Sequence, residues 1–312
     1  MQVAANGITL EVEIHGDAEG VPLVLIRGLG SQLVHWPREL VAGLAARGYR
    51  VVIFDNRDAG LSARCPAPGI ADGADAILAA IRAGRVPPPA YRLDDMARDV
   101  VGLMDALGIG RAHVFGISMG GAIAQILACD HRERLLGAMI VMSSARLRGA
   151  RLAEQLVSRP LDREDFIAAQ LEGDRAWGSP GFPAPETWLR DTAARAWERG
   201  ADAAGMNRQL LAILNAPDRR AALAGVTLPC LVIHGSEDRL IPPEAGREIA
   251  ALIPGAEAEI IAGMGHVITP ALALRIVERV DRFIRSRGGA GGVAGGVAGG
   301  EGPRDADQTP RQ

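Results

Sequence analysis

The chain has 312 residues, 48% of them hydrophobic, with 34 basic against 37 acidic side chains and a formal net charge of −3. A chain this long buries roughly three quarters of its unfolded surface, as one large domain or one domain plus a lid. Charges so evenly mixed leave no electrostatic footprint for nucleic acid or an anionic membrane, so small-molecule chemistry is the expected work.

Residues 1–10 hold no basic stretch followed by an apolar core, and no apolar run reaches bilayer length, so neither a signal peptide nor a membrane anchor is expected. Val3 to Ala5 and Leu10 to Ile14 alternate like an antiparallel edge hairpin around Asn6-Gly7. Short apolar runs then recur at Leu23 to Ile26, Val51 to Phe54, His113 to Phe115, Met139 to Met142 and Leu231 to Ile233. Between them, Glu39 to Arg47, Asp94 to Leu107, Met119 to Asp130, Glu244 to Ile253 and Ala271 to Arg287 space their apolar residues by three and four. Strand and helix alternating in this way predict an α/β protein with a mostly parallel sheet covered by helices on both faces.

Two stretches interrupt the rhythm. Cys65 to Tyr91 ends in Val86-Pro-Pro-Pro89 and reads as a short helix plus a stiff loop near the active face. Between Ser143 and Pro229 the sequence is helix-like, rich in arginine and alanine, and holds Trp177, Trp188 and Trp197. It reads as an inserted helical cap whose tryptophans either line a pocket or hold the helices together. The expected boundaries are a core over 1–143 and 226–287, a cap over 144–225, and from 288 a glycine-rich tail too poor in apolar groups to repay its ordering entropy.

The most informative segment is Gly116-x-Ser118-x-Gly120, set between the apolar run His113 to Phe115 and the helix-like Ala122 to Ala128. This is the signature of a nucleophile elbow, a sharp strand-to-helix turn that exposes the serine hydroxyl while glycines on either side let backbone pass. A serine hydroxyl is a weak nucleophile until a histidine takes its proton and a carboxylate orients that histidine. Asp238 and its neighbour Glu237 both follow the apolar run Leu231 to Ile233, at the carboxyl edge where parallel sheets place their chemistry, and spacing alone leaves the pair open. Met142 to Arg151 contains no Asp or Glu, which favours this later position for the acid.

His266, in a glycine-bearing loop before the last helix, is the base expected from the order serine, acid, histidine; His15, His35, His113, His131 and His234 fit less well. The N–H of Met119, just after the serine, and that of Leu29, in Arg27-Gly-Leu-Gly-Ser31, are the expected oxyanion donors. No His-Glu-x-x-His, cysteine pair or clustered histidine set suggests a metal, no phosphate-binding loop spacing suggests a nucleotide, and no cofactor is expected. Cys65, Cys129 and Cys230 are widely separated and suit a reducing cytoplasm.

Taken together, Gly116-x-Ser118-x-Gly120, Gly235-Ser-Glu-Asp238 and Gly263-Met-Gly-His266 resemble the nucleophile, acid and histidine motifs of the alpha/beta-hydrolase superfamily over nearly all of residues 1–287. The resemblance implies the alpha/beta-hydrolase fold and makes Asp238 the acid. Asp55-Asn-Arg-Asp-Ala-Gly-Leu-Ser62, with Asp58 where glycine is usual, is similar to the branch that contains aclacinomycin methylesterase. That likeness implies a serine hydrolase of a small-molecule carboxylic or methyl ester acting through Ser118, Asp238 and His266. A carbon-carbon bond hydrolase with the same triad and a non-catalytic binding protein are the alternatives. Many members begin the oxyanion loop with His-Gly; here Arg27-Gly28 stands instead, and the arginine is expected to pair with a nearby acid and order the loop, with substrate carboxylate binding as the other use.

Overall fold

The computed structural model describes residues 1–146 and 150–288; the glycine-rich stretch beyond Gly288 lies outside the described residues. In chain order, β1 (Gln2–Ala5), β2 (Ile8–His15) and β3 (Val21–Ile26) precede α1 (Arg38–Ala45) and β4 (Tyr49–Phe54). Helices α2 (Ala74–Arg82) and α3 (Leu93–Ala106) lead to β5 (Ala112–Ile117), α4 (Met119–Asp130) and β6 (Leu135–Val141). Next come α5 (Ala150–Leu156), α6 (Arg163–Trp177), α7 (Glu186–Glu198), α8 (Ala203–Leu214) and α9 (Arg220–Leu223). The chain returns to the sheet with β7 (Cys230–Gly235), α10 (Pro243–Leu252), β8 (Glu257–Ile261) and α11 (Pro270–Gly288).

The strands form one sheet in the order β1-β2-β4-β3-β5-β6-β7-β8. β1 with β2 and β2 with β4 are antiparallel, and the remaining pairs are parallel. The hairpin turn at Asn6 and Gly7 takes φ of 48° and 76°, the left-handed pair that a two-residue connection between twisted strands requires. Alternation along β3 separates two cores: Val24 and Ile26 face α3 and α4, whereas Leu23 and Leu25 face α1 and α11. Helix α4 is buried from Met119 through Ala128, because it packs on β5, β6 and α3 at once; its sequence is accordingly apolar nearly all round.

Helices α5 to α9 lie between β6 and β7 in sequence, and α2, from the 65–91 stretch, packs against α5 and α8 through Ile77, Ile81, Ala153 and Leu210. Arginines tie these helices to the loop after β4. Arg208 of α8 donates Nε and Nη2 to the buried carboxylate of Asp58 at 3.0 and 2.6 Å, and Arg199, after α7, pairs with Asp55. Asp58 sits at φ 65° and its Oδ1 also accepts the Cys65 N–H, so the residue that stands in place of glycine is a structural anchor for α8. Removing one partner of a buried pair strands the other, so Arg208→Met is expected to cost about 3–5 kcal/mol of stability. Urea unfolding measures this, and a loss below about 1 kcal/mol, the scale of a surface pair, contradicts the anchoring role.

Candidate active site

Strand β5 ends and α4 begins within one residue of each other, and Ser118 is the hinge between them, at φ 56° and ψ −117°. A non-glycine residue persists in this region only where its surroundings fix it. Ser118 N–H donates to the Val141 carbonyl at 2.9 Å, and its own carbonyl accepts from Ala122 N–H at 3.1 Å and Ser143 Oγ at 2.8 Å. The flanking glycines are needed for space: a Cβ on Gly116 would lie 2.1 Å from the Gly120 carbonyl oxygen, and one on Gly120 would lie 2.1 Å from that of Ile26.

Ser118 Oγ lies 3.0 Å from His266 Nε2, and His266 Nδ1 lies 2.7 Å from Asp238 Oδ2. A carboxylate only accepts, so Nδ1 carries the hydrogen and Nε2 is left free to accept from the serine. Asp238 Oδ1 accepts the N–H groups of Leu240 and Ile241 at 3.0 and 2.8 Å, and Oδ2 has a second neighbour, His234 Nε2, at 3.3 Å. Burial opposes ionisation of Asp238, yet the nearby His234 Nε2, which donates to the Ile241 carbonyl at 2.9 Å, and the hydrogen bonds from His266 and the Ile241 N–H outweigh it and hold the carboxyl well below the usual carboxylate range. Glu237 is exposed and meets only Ser236 Oγ, at 3.2 Å.

The backbone of the histidine loop is held by residues 177–182, just past α6. His266 N–H donates to the Trp177 carbonyl at 2.7 Å, and Gly181 N–H donates to the Gly263 carbonyl at 2.8 Å. Ser179 Oγ accepts the Gly265 N–H at 2.9 Å and donates to the Val267 carbonyl at 2.6 Å, so it clasps both neighbours of His266. His234, beside Asp238, and Ser179, which clasps the histidine loop, make contacts that sequence reasoning passed over. His234 sits four residues before Asp238, but inside an apolar strand that spacing reads as core.

Leu29 and Met119 flank the serine, one from the loop after β3 and the other from the start of α4. A Cβ on Gly28 would lie 3.2 Å from Ser118 Cβ, so the 27–30 loop passes directly beside Ser118. Met119 is the first residue of α4, where a helix leaves its N–H groups without intrahelical partners. Among the described residues neither the Leu29 nor the Met119 N–H donates to a protein acceptor, which leaves both available to an incoming oxygen.

Ser118 and His266 open into a cavity of about 270 Å³ whose far wall comes from Leu156, Trp177, Trp188 and Met206. Trp197 instead packs on Phe166 with ring centroids 5.6 Å apart. Arg27 departs from the expected ion pair. Asp55, on the neighbouring loop, is already occupied by Arg199 and the N–H groups of Leu33 and Leu61, and the Arg27 guanidinium lies over the Trp36 ring at 4.5 Å. Among the described residues no three His, Cys, Asp or Glu side chains gather to hold a metal ion, and no helix is long and apolar enough to cross a membrane.

An elbow serine at the carboxyl edge of a mostly parallel sheet, under helices inserted after β6, defines a class: residues 21–269 match the alpha/beta hydrolase fold family, and the chain belongs to it. Among its relatives is rhodomycin D methylesterase DnrP of Streptomyces peucetius, 32% identical over 297 residues that cover 86% of this chain and 93% of that protein. Rhodomycin D methylesterase DauP of Streptomyces sp. (strain C5) is 31% identical over 299 residues with the same coverage. Both agree with the branch to which the Asp55 to Ser62 loop points. Among solved structures, the enol-lactonase from Burkholderia xenovorans LB400 is similar, with a TM-score of 0.68 and 27% identity over 92% of this chain and 97% of that one.

Proposed function

We propose that the protein is a serine hydrolase of small-molecule carboxylic esters, methyl esters included, working through Ser118, His266 and Asp238. The observation that carries this reading is the continuous row from Ser118 Oγ through His266 to Asp238 Oδ2, at 3.0 and 2.7 Å. Beside it stand two unengaged N–H groups, those of Leu29 and Met119. The methylesterase relatives supply the ester class.

In this mechanism His266 Nε2 takes the hydroxyl proton as Ser118 Oγ forms a bond to the ester carbonyl carbon. Negative charge collects on the former carbonyl oxygen, where Leu29 and Met119 N–H groups stabilise it; one such donor contributes about 3–4 kcal/mol in a comparable site. The carbon to alkoxy-oxygen bond breaks, the imidazolium returns its proton to the departing alcohol, and an acyl-Ser118 remains. Water then attacks with His266 again as base, and the acid leaves. Asp238 keeps Nδ1 protonated and stabilises the imidazolium throughout. Residues 144–225 act as the cap that shapes the pocket, and three unpaired cysteines suit a reducing cytoplasm.

The test is turnover of p-nitrophenyl acetate, butyrate and octanoate alongside short methyl esters. A cavity of about 270 Å³ stands near the lower limit for small-molecule sites, so acetate and butyrate are expected to outperform octanoate in kcat/KM. Cleavage of a diketone with no ester turned over would replace the esterase reading by carbon-carbon hydrolysis.

A further inference from the structure

Arg27 is an unused cation in the wall of the reaction cavity. It follows β3 and directly precedes Gly28, where a Cβ would lie 3.2 Å from that of Ser118, so its side chain leaves from a backbone that runs beside Ser118. Its Nε is buried without a hydrogen-bond partner, and among the described residues its guanidinium makes no ion pair or hydrogen bond. On the loop after β4, Asp55 binds Arg199 and Asp58 binds Arg208, and Asp99 of α3 binds Arg57. What Arg27 does have is Trp36 beneath its plane, at 4.5 Å, which fixes the guanidinium by a cation-π contact and leaves its donor edge unengaged.

Arg27 is only partly buried as a residue, but its Nε is desolvated without a partner, which is costly and leaves a hydrogen-bonding position for a ligand to fill. His35, which also lines the cavity, is pushed down to about 3 by burial and by the positive charges of Arg27, Arg199 and Arg195, so at neutral pH it is uncharged and does not compete as a second cation. Asp174, whose carboxyl also lines the cavity, has Oδ1 buried without a partner, and burial raises its pKa. Burial brings Arg27 itself down only to about 9, so it remains a cation at neutral pH.

We propose that Arg27 is the specificity-determining residue of this pocket and that the substrates are esters carrying a second, carboxylate-type oxygen group a few carbons from the scissile carbonyl. The planar guanidinium, already ordered on Trp36, receives that group edge-on, and the ester carbonyl then falls beside Gly28 and Ser118. The proposal rests on the esterase reading for its chemistry, but the anion site can be tested by binding alone.

The experiment compares monomethyl glutarate with methyl pentanoate, which has one scissile ester and an apolar end, in wild type, Arg27→Met and Arg27→Lys. Wild type is expected to prefer the monoester in kcat/KM by about tenfold or more, the scale of a charge-assisted bidentate contact. That preference is expected to fall to near unity in Arg27→Met, with Arg27→Lys between. In parallel, calorimetry on Ser118→Ala measures monomethyl glutarate binding, which is expected to weaken by a similar factor when Arg27→Met is added.

Equal use of the two esters by wild type, or a preference that survives in Arg27→Met, overturns the proposal and leaves the esterase reading intact. An equal loss on both esters in Arg27→Met assigns Arg27 to loop support and likewise overturns it. If no ester is turned over at all, the esterase reading fails, and the calorimetric comparison still decides the anion site.

Discussion

Ser118→Ala is expected to lower kcat for ester hydrolysis by on the order of 10⁶, the scale seen when a triad serine is removed, while leaving the fold in place. The size follows from the proposed mechanism, in which no acyl-enzyme forms without Oγ and His266 is left to activate a water that the site does not position. The fold survives because the backbone of residue 118, and not its hydroxyl, makes the structural bonds to Val141, Ala122 and Ser143. Alanine has the same Cβ as serine and accepts the strained φ of 56° under the same constraints. Steady-state kinetics with a circular-dichroism control checks the prediction. Residual activity within a hundredfold of wild type shows that another group performs the attack.

Asp238→Asn is expected to lower kcat by about 10⁴, by reversing the hydrogen on His266. Asp238 accepts at both oxygens: Leu240 and Ile241 N–H groups at Oδ1, His266 Nδ1 at Oδ2. An asparagine keeps one acceptor, which the two backbone donors claim, and turns its NH₂ toward Nδ1. The imidazole then carries its hydrogen on Nε2 and cannot accept from Ser118. The same substitution alters stability with pH. Because the native carboxyl is held below its unfolded value of about 3.9, Asp238 adds stability that is present above that pH and lost as pH falls through the lower native value. The Asp238→Asn protein is therefore expected to lose less stability than wild type between pH 5 and pH 3, measured by urea midpoints. Parallel losses in the two proteins contradict the assignment of Asp238 as the depressed acid.

Periodicity made the fold legible because each layer imposes its own. The runs Leu23 to Ile26 and Leu231 to Ile233 are uninterrupted because the sheet is covered on both faces, and the two ends of most elements fell within a few residues of the expected ones. The elbow was legible because a serine in that backbone conformation needs glycines where neighbouring carbonyls approach to 2.1 Å of a would-be Cβ. Glu237 and Asp238 were not separable by spacing, since which of two adjacent loop side chains turns inward depends on the N–H groups of Leu240 and Ile241, which exist as donors only once the loop is folded. Arg27 escapes the ion pair expected of it for a related reason. Composition offers many acids, but Asp55, Asp58 and Asp99 are each assigned to another arginine by tertiary packing, through Arg199, Arg208 and Arg57. The clasp of Ser179 on the histidine loop joins residues far apart in sequence and leaves no local pattern to read.

The central claim, that Ser118 is the activated nucleophile of an ester hydrolase, is tested most directly by fluorophosphonate labelling followed by peptide mapping of the adduct. A single adduct on the peptide carrying Ser118, formed with concurrent loss of ester turnover and absent from both Ser118→Ala and His266→Ala proteins, is the predicted result. Loss of turnover with the adduct on another residue, or ester hydrolysis that persists after Ser118 is fully labelled, contradicts it.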